Sequence, residues 1–274
     1  MAQPNHYVLI LGASSGFGRA AAIALAKQGY HILGVHLDRA GGMAMVEELK
    51  TELESYGVRQ HYWNMNAADA GNRSELMEAI KAEFAKHEGA TIRLLLHSLA
   101  FGTLKPLVSH EGESTINQKN LEMTMDVMAN SLVYYTQDVV AHGLMAPGGR
   151  IAGLTSAGAT RVLPMYGAVS AAKAAMESYC RQLALELAPY GITANAIRAG
   201  VTYTPALAKI PGSDVIMNNA FMRNPSHRLT TPEDVANVLT LLVRDEAAWI
   251  NGEVLGVDGG EDAIDLTWWK PEGA

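Results

Sequence analysis

Short β-type runs alternate with helical stretches along this chain, and that alternation restricts its fold more than any other feature. The runs are YVLIL (7–11), HILGVH (31–36), RQHYWNM (59–65), IRLLLHS (92–98), RIAGLTS (150–156), ITANAIR (192–198) and EVLGVD (253–258). Between them, apolar residues at helical spacing mark segments near 17–28, 41–56, 72–87, 119–145, 165–188 and 231–244. Strands linked through helices pair in parallel. The first, fourth and fifth runs are continuously apolar, as in strands covered on both faces. The expected fold is α/β: a doubly wound parallel sheet of about seven strands with helices on both faces. No linker, composition break or internal repeat divides the 274 residues, so one domain over 1–274 is expected. Residues 199–230 are the irregular part. Three prolines and weak periodicity suggest a substrate-binding flap there, or else a plain surface excursion.

Charge and cysteine content narrow the classes further. A formal charge of −7 opposes a dominant nucleic-acid role, which needs a basic face. The single cysteine, Cys180, excludes an intramolecular disulfide framework and sits in the amphipathic run AMESYCRQLALELA, where a buried thiol is expected. The N-terminal apolar run is too short to span a membrane and lacks a basic segment ahead of it, so a cytoplasmic location is expected. No metal site is expected.

Gly12, Gly16 and Gly18 follow the first run and open the first helical segment in the spacing G-x-x-x-G-x-G. Gly12 permits a tight turn, Gly16 lets backbone approach a pyrophosphate, and Gly18 lets helix and strand pack closely. Free N–H groups and the helix dipole then face phosphates, the arrangement of a dinucleotide site. Ser14, Ser15 and Phe17 share that loop and count as cofactor contacts. At the end of the second run, Asp38 could hold the ribose hydroxyls of NAD and Arg39 the 2′-phosphate of NADP. A solvated Asp38–Arg39 pair is the alternative. Asn66 is placed near the adenine, and Ser98 and Ala100 near the nicotinamide half. His97 is either a general base or a hydrogen-bonded structural histidine.

The glycine pattern, PMYGAVSAAKAA, AGVTYT, RLTTPEDVA and GEVLGVDGG occur in that order, and together they resemble the short-chain dehydrogenase/reductases over almost the full length. The resemblance implies a single Rossmann-fold domain. Ordinary members pair a serine, a tyrosine thirteen residues on, and a lysine four beyond that. Ser156 and Lys173 are in place, but Val169 fills the tyrosine's position and Met128 that of an assisting asparagine. His36 stands where many NAD-dependent members carry an aspartate, which favours NADPH over NADH. The chain is similar to a divergent branch, the enoyl-acyl-carrier-protein reductases, in which tyrosine precedes lysine by seven, as Tyr166 precedes Lys173. It departs from that branch's commonest form in carrying Ser156 where many have a second tyrosine, and in its compact glycine loop.

On a helix, four residues turn about 400° and seven about 700°, so either spacing leaves the pair on one face. The axial separation differs, about 6 Å against about 10.5 Å. A ketone needs its acid beside the carbon that receives hydride. An enoyl thioester takes hydride two carbons beyond the carbonyl and develops charge on the thioester oxygen, where a donor stabilises the transition state. The resemblance therefore implies NAD(P)H-dependent reduction of a trans-2-enoyl thioester, with Tyr166 on that oxygen and Lys173 on the nicotinamide ribose. Ser156 would bond Tyr166 or substrate, or cap its strand. Gly200, Thr202 and Thr204 would contact the carboxamide and pyrophosphate. It further implies an acyl-carrier-protein substrate and a homotetramer. Arg161, Arg223 and Arg228 are candidate contacts for an acidic carrier. Met165, Met176, Met217 and Met222 are read as packing residues, with a flexible acyl lining as the alternative. A carbonyl reductase with a relocated acid and a non-catalytic dinucleotide-binding protein are the rival readings.

Overall fold

The computed structural model describes residues 5–109, 112 and 114–264; the two ends of the expected 1–274 domain lie outside the described residues. Seven strands form one parallel sheet: β1 (His6–Leu11), β2 (His31–His36), β3 (Gln60–Asn64), β4 (Thr91–His97), β5 (Arg150–Ser156), β6 (Thr193–Ala199) and β7 (Val254–Val257). Their order across the sheet is β3-β2-β1-β4-β5-β6-β7. The helices are α1 (Gly16–Lys27), α2 (Met43–Ser55), α3 (Ala70–Phe84), α4 (Gln118–Met125), α5 (Ser131–Ala141), α6 (Gly167–Leu187), α7 (Ser213–Arg223) and α8 (Pro232–Leu242).

Alternating side chains divide the inner strands between two cores, with one irregularity in β4 where the register against β1 shifts after Ile92. In β1, Tyr7, Leu9 and Leu11 join a core with α3, α5 and α6, while Val8 and Ile10 join another with α1, α2 and α8. Both faces are thus covered, which explains why β1, β4 and β5 read as continuous apolar runs. At β5 the Met176 side chain of α6 packs directly on the sheet backbone. A Cβ on Gly153 would lie 2.6 Å from the Met176 sulfur.

Two sequence expectations change. The stretch expected as one helix over 119–145 is α4 and α5 joined by a π-helical turn, Asp126–Asn130, and it ends at Ala141. Gly143 then adopts φ 65°, turning the chain so that Leu144 and Met145 are buried. Residues 199–230 are not simply irregular, because they carry α7 and a short 3₁₀ turn at Leu207–Lys209. Tyr166 is the N-cap of α6, just before its first turn.

Candidate active site

The strand order reverses between β1 and β4, whose carboxyl ends, Leu11 and His97, are paired. Open α/β sheets bind ligands at such a switch point. Beyond it, a cavity of about 520 Å³ holds Phe17, Ser98, Ala100, Ser156, Tyr166 and Lys173, together with Gly200, Thr202 and Thr204. Nine of the expected site positions therefore meet in one space.

The glycine loop forms the adjoining cradle. Gly12 has φ 89°, and a Cβ there would stand 2.6 Å from the Ser98 carbonyl oxygen. Gly16 has φ 52°, and a Cβ on Gly18 would overlap the carbonyl oxygen of Gly12. The N–H groups of Gly12 and Ala13 both donate to the Val35 carbonyl, pinning the loop to β2. Ser15 caps α1 without a side-chain hydrogen bond, so Ser14–Ser15–Gly16 presents uncapped backbone donors. A dinucleotide's pyrophosphate fits this loop, where any side chain at Gly12 or Gly18 would collide with backbone.

Asp38, Arg39 and Asn66 lie outside the cavity lining. Asp38 is turned toward His36, with Oδ2 at 2.8 Å from Nδ1, while its backbone is clamped to Asn64 by two hydrogen bonds. Arg39 is exposed. Asn66 spends its side chain locally, accepting from the Ala68 N–H in the turn that precedes α3. Thr204 accepts from the Leu207 N–H, Thr202 donates to the Gly200 carbonyl, and a Cβ on Gly200 would overlap the Thr230 hydroxyl.

Tyr166 reaches its place through strain and close approach. Met165 before it has φ 60°, a left-handed conformation costly for a residue with a side chain. Gly158 leaves room for its ring, since a Cβ there would sit 2.5 Å from Tyr166 Cε1 and 3.2 Å from Ser156 Oγ. Burial pushes the Tyr166 phenol above its ordinary range, opposed by its hydrogen bond with Ser156. Ser156 also accepts from the Gly158 N–H and caps the turn after β5. Lys173 is buried and donates to the Leu154 carbonyl at 2.6 Å. Burial lowers its ammonium to about 8, opposed by Glu177.

Where an ordinary ketone reductase would carry tyrosine and asparagine, the wall is apolar and tightly packed. Val169 and Met128 are buried, and a Cβ on Gly102 would lie 2.7 Å from one and 2.8 Å from the other. His97 is a buried structural group. Its Nε2 meets Ser131 Oγ at 2.8 Å, Ser131 donates to the Val127 carbonyl, and burial lowers the imidazole to about 3. With Nε2 tied to Ser131 and the ring outside the cavity lining, His97 is not placed to take a proton from a substrate. Cys180 is a buried thiol that burial pushes up to about 12. None of Met165, Met176, Met217 and Met222 lines the cavity. Among the described residues no metal-ligating cluster occurs, and no helix is long and apolar enough to cross a membrane.

Sequence reasoning missed part of the lining: Phe101, Gly102 and Leu104 after β4, Ile216 and Asn219 on α7, and a charged wall containing Arg198, Glu261 and Asp262. Arg161 and Arg223 belong to that wall. Arg228 does not, because it pairs with Asp234 in the capping box of α8.

Sheet order, glycine cradle and the Ser156–Tyr166–Lys173 grouping define a dinucleotide-fold oxidoreductase of the short-chain dehydrogenase/reductase type. Residues 12–261 match the family described as Enoyl-(Acyl carrier protein) reductase, and the chain belongs to that branch of the superfamily. Among its relatives, the 1-cyclohexenylcarbonyl-CoA reductase of Streptomyces collinus is 29% identical over 260 residues, 92% of this chain and 85% of that one. The NADH-dependent enoyl-[acyl-carrier-protein] reductase FabI of Aquifex aeolicus is 31% identical over 178 residues, 65% of each chain. The crystal structure of the enoyl-(acyl-carrier-protein) reductase of Anaplasma phagocytophilum in complex with NAD superposes with a TM-score of 0.79 at 24% identity, covering 96% of this chain and 94% of that one.

Proposed function

We propose that the protein reduces the carbon–carbon double bond of a trans-2-enoyl thioester with NAD(P)H. One observation carries this reading. The position that protonates a ketone is filled by Val169 and Met128 packed on Gly102, while Tyr166 stands at the head of the same helix, in the same cavity as Lys173.

Ser98, Ala100 and Thr202 would hold the nicotinamide, which when bound would supply the hydride for the β carbon. The Tyr166 hydroxyl, kept protonated by burial, donates to the thioester oxygen on which the double bond's electrons arrive. Ser156 orients that hydroxyl. Lys173 holds the ribose hydroxyls, and its positive charge favours the developing enolate. Proton delivery at the α carbon completes the saturated thioester. The exposed Arg39, with Asp38 already engaged by His36, favours NADPH over NADH. The relatives' names include both a coenzyme A and a carrier-protein substrate, so both carriers belong in the assay. Residues 199–230, including α7, act in this reading as the flap over the acyl group.

The test follows oxidation of NADPH, then NADH, with a trans-2-enoyl thioester and the 3-ketoacyl thioester of equal length. Turnover is expected with the enoyl substrate alone. Tyr166→Phe should abolish most of it and leave cofactor affinity within about twofold, because the ring's packing is kept and only the transition-state donor is lost. Turnover confined to the ketone would overturn the reading, and unchanged turnover in Tyr166→Phe would remove that residue from the mechanism.

A further inference from the structure

One wall of the cavity is far more polar than an alkyl chain requires. Arg161 Nη2 lies 2.7 Å from Asp262 Oδ1, Arg198 Nε 3.5 Å from Asp262 Oδ2, and Arg223 Nη2 3.2 Å from Glu261 Oε1. The other Glu261 oxygen accepts from the Val201 N–H at 3.1 Å. These five side chains come from the loop after β5, the end of β6, α7 and the loop after β7, and all line the cavity.

The two sides of this network differ in accessibility. The Glu261 and Asp262 side chains are 4% and 11% exposed, while those of Arg161, Arg198 and Arg223 are 38%, 30% and 38% exposed. The acids are thus the inner side of the network and the arginines its more exposed side. Donors are in surplus. Each guanidinium offers five N–H groups, more than the one carboxylate paired with it can accept. Lys209 adds a further cation to the lining, and Asp258 a further acid whose Oδ1 accepts from the Gly260 N–H. A methyl-ended chain laid on this wall would desolvate charges and satisfy none of the free donors.

We infer that this wall is an anion subsite, which takes a carboxylate or phosphate carried by the substrate. Planar forks of Arg161, Arg198 and Arg223 match such oxyanions, and the paired acids hold the forks in position. The choice of substrate rests on the enoyl-thioester reading, because that molecule can present an oxyanion in two places: at the far end of a dicarboxylic acyl chain or on the carrier's phosphate. If the ion pairs only tie the loop after β7 to the sheet, ligand charge will not matter.

Calorimetry on the cofactor-loaded protein separates these cases. The ligands are the glutaryl and pentanoyl thioesters, each on N-acetylcysteamine and on coenzyme A. An acyl carboxylate in the subsite makes both glutaryl ligands bind about tenfold tighter or more than their pentanoyl partners. A carrier phosphate there gives a similar preference for coenzyme A with either acyl group. In both cases added salt and the Arg198→Leu and Arg223→Leu variants, checked for folding by circular dichroism, should erase the preference. A wild-type protein that binds all four ligands alike, or a preference indifferent to salt and intact in the folded variants, would overturn the subsite. Turnover of the matching enoyl thioesters is read separately. Charge-selective binding without turnover would remove the enoyl reading and leave the subsite standing, and turnover without charge selectivity would do the reverse.

Discussion

Replacing Gly158 by alanine probes how Tyr166 is held without touching the residue itself. The added Cβ would lie 2.5 Å from Tyr166 Cε1 and 3.1 Å from Cδ1. Non-bonded carbons settle at about 3.5–4.0 Å, so the ring edge must retreat by about 1 Å. Little slack absorbs that movement. The backbone of Tyr166 is fixed by its N-cap position and by the left-handed Met165 before it, and Ser156 Oγ stands 3.2 Å from the same Cβ. A shift of about 1 Å in a positioned catalytic group costs on the order of a hundredfold in rate. The expected result is therefore a kcat on the enoyl thioester lowered about a hundredfold, with cofactor affinity within about twofold of wild type. Overpacking should also cost about 1–3 kcal/mol of stability. Steady-state oxidation of the reduced nicotinamide measures the first, and a denaturant melt the second. In a Gly158→Ala/Tyr166→Phe double variant the two losses should not add, since both remove one donor. A kcat within about threefold of wild type would refute the claim that Gly158 positions Tyr166.

Two further predictions concern buried charges. Lys173 is lowered by burial to about 8 from its ordinary 10.5, so its charge opposes folding below pH 8, and the folded state gains as pH rises through that window while the unfolded chain still holds the proton. The gain is up to about 3 kcal/mol; unfolding free energy of wild type relative to Lys173→Met should climb between those pH values, and a flat difference would show that the lysine is not desolvated. Far from the cavity, burial raises the Glu83 carboxyl, but hydrogen bonds from Lys86 and His61 outweigh it and hold the group at about 2. Its stabilisation is present above the ordinary carboxylate range and lost as pH falls through about 2, so Glu83→Gln should cost about 1–3 kcal/mol at pH 7. Equal denaturant midpoints for the two proteins at that pH would contradict this account.

Much of the fold could be read from local pattern, because a strand or helix writes its own period into the chain. Each of the seven runs became a strand, and Gly12 and Gly18 sit where added side chains would meet backbone. The helix bearing Lys173 was legible for the same reason. Helix α7 was not. The positions it turns to the cavity, Ile216, Asn219, Ala220 and Arg223, follow helical spacing, but two of the four are polar, so apolar periodicity hides it. The end of α5 was overrun because Leu144 and Met145 continue the apolar pattern after the chain has turned at Gly143.

The chain's own pattern determined the parallel sheet, the glycine loop after β1 and the one-face placement of Tyr166 with Lys173, all of which depend on neighbours within a helical turn or two. The surroundings of those residues belong to the tertiary structure alone. Gly102 closing on Val169 and Met128, Gly158 making room for Tyr166, and Glu261 and Asp262 supporting arginines from three other segments are contacts between residues remote in sequence. Burial of Lys173 and the meeting of oppositely charged side chains arise only when the sheet brings its carboxyl ends together, and no local period records which distant loop will arrive there.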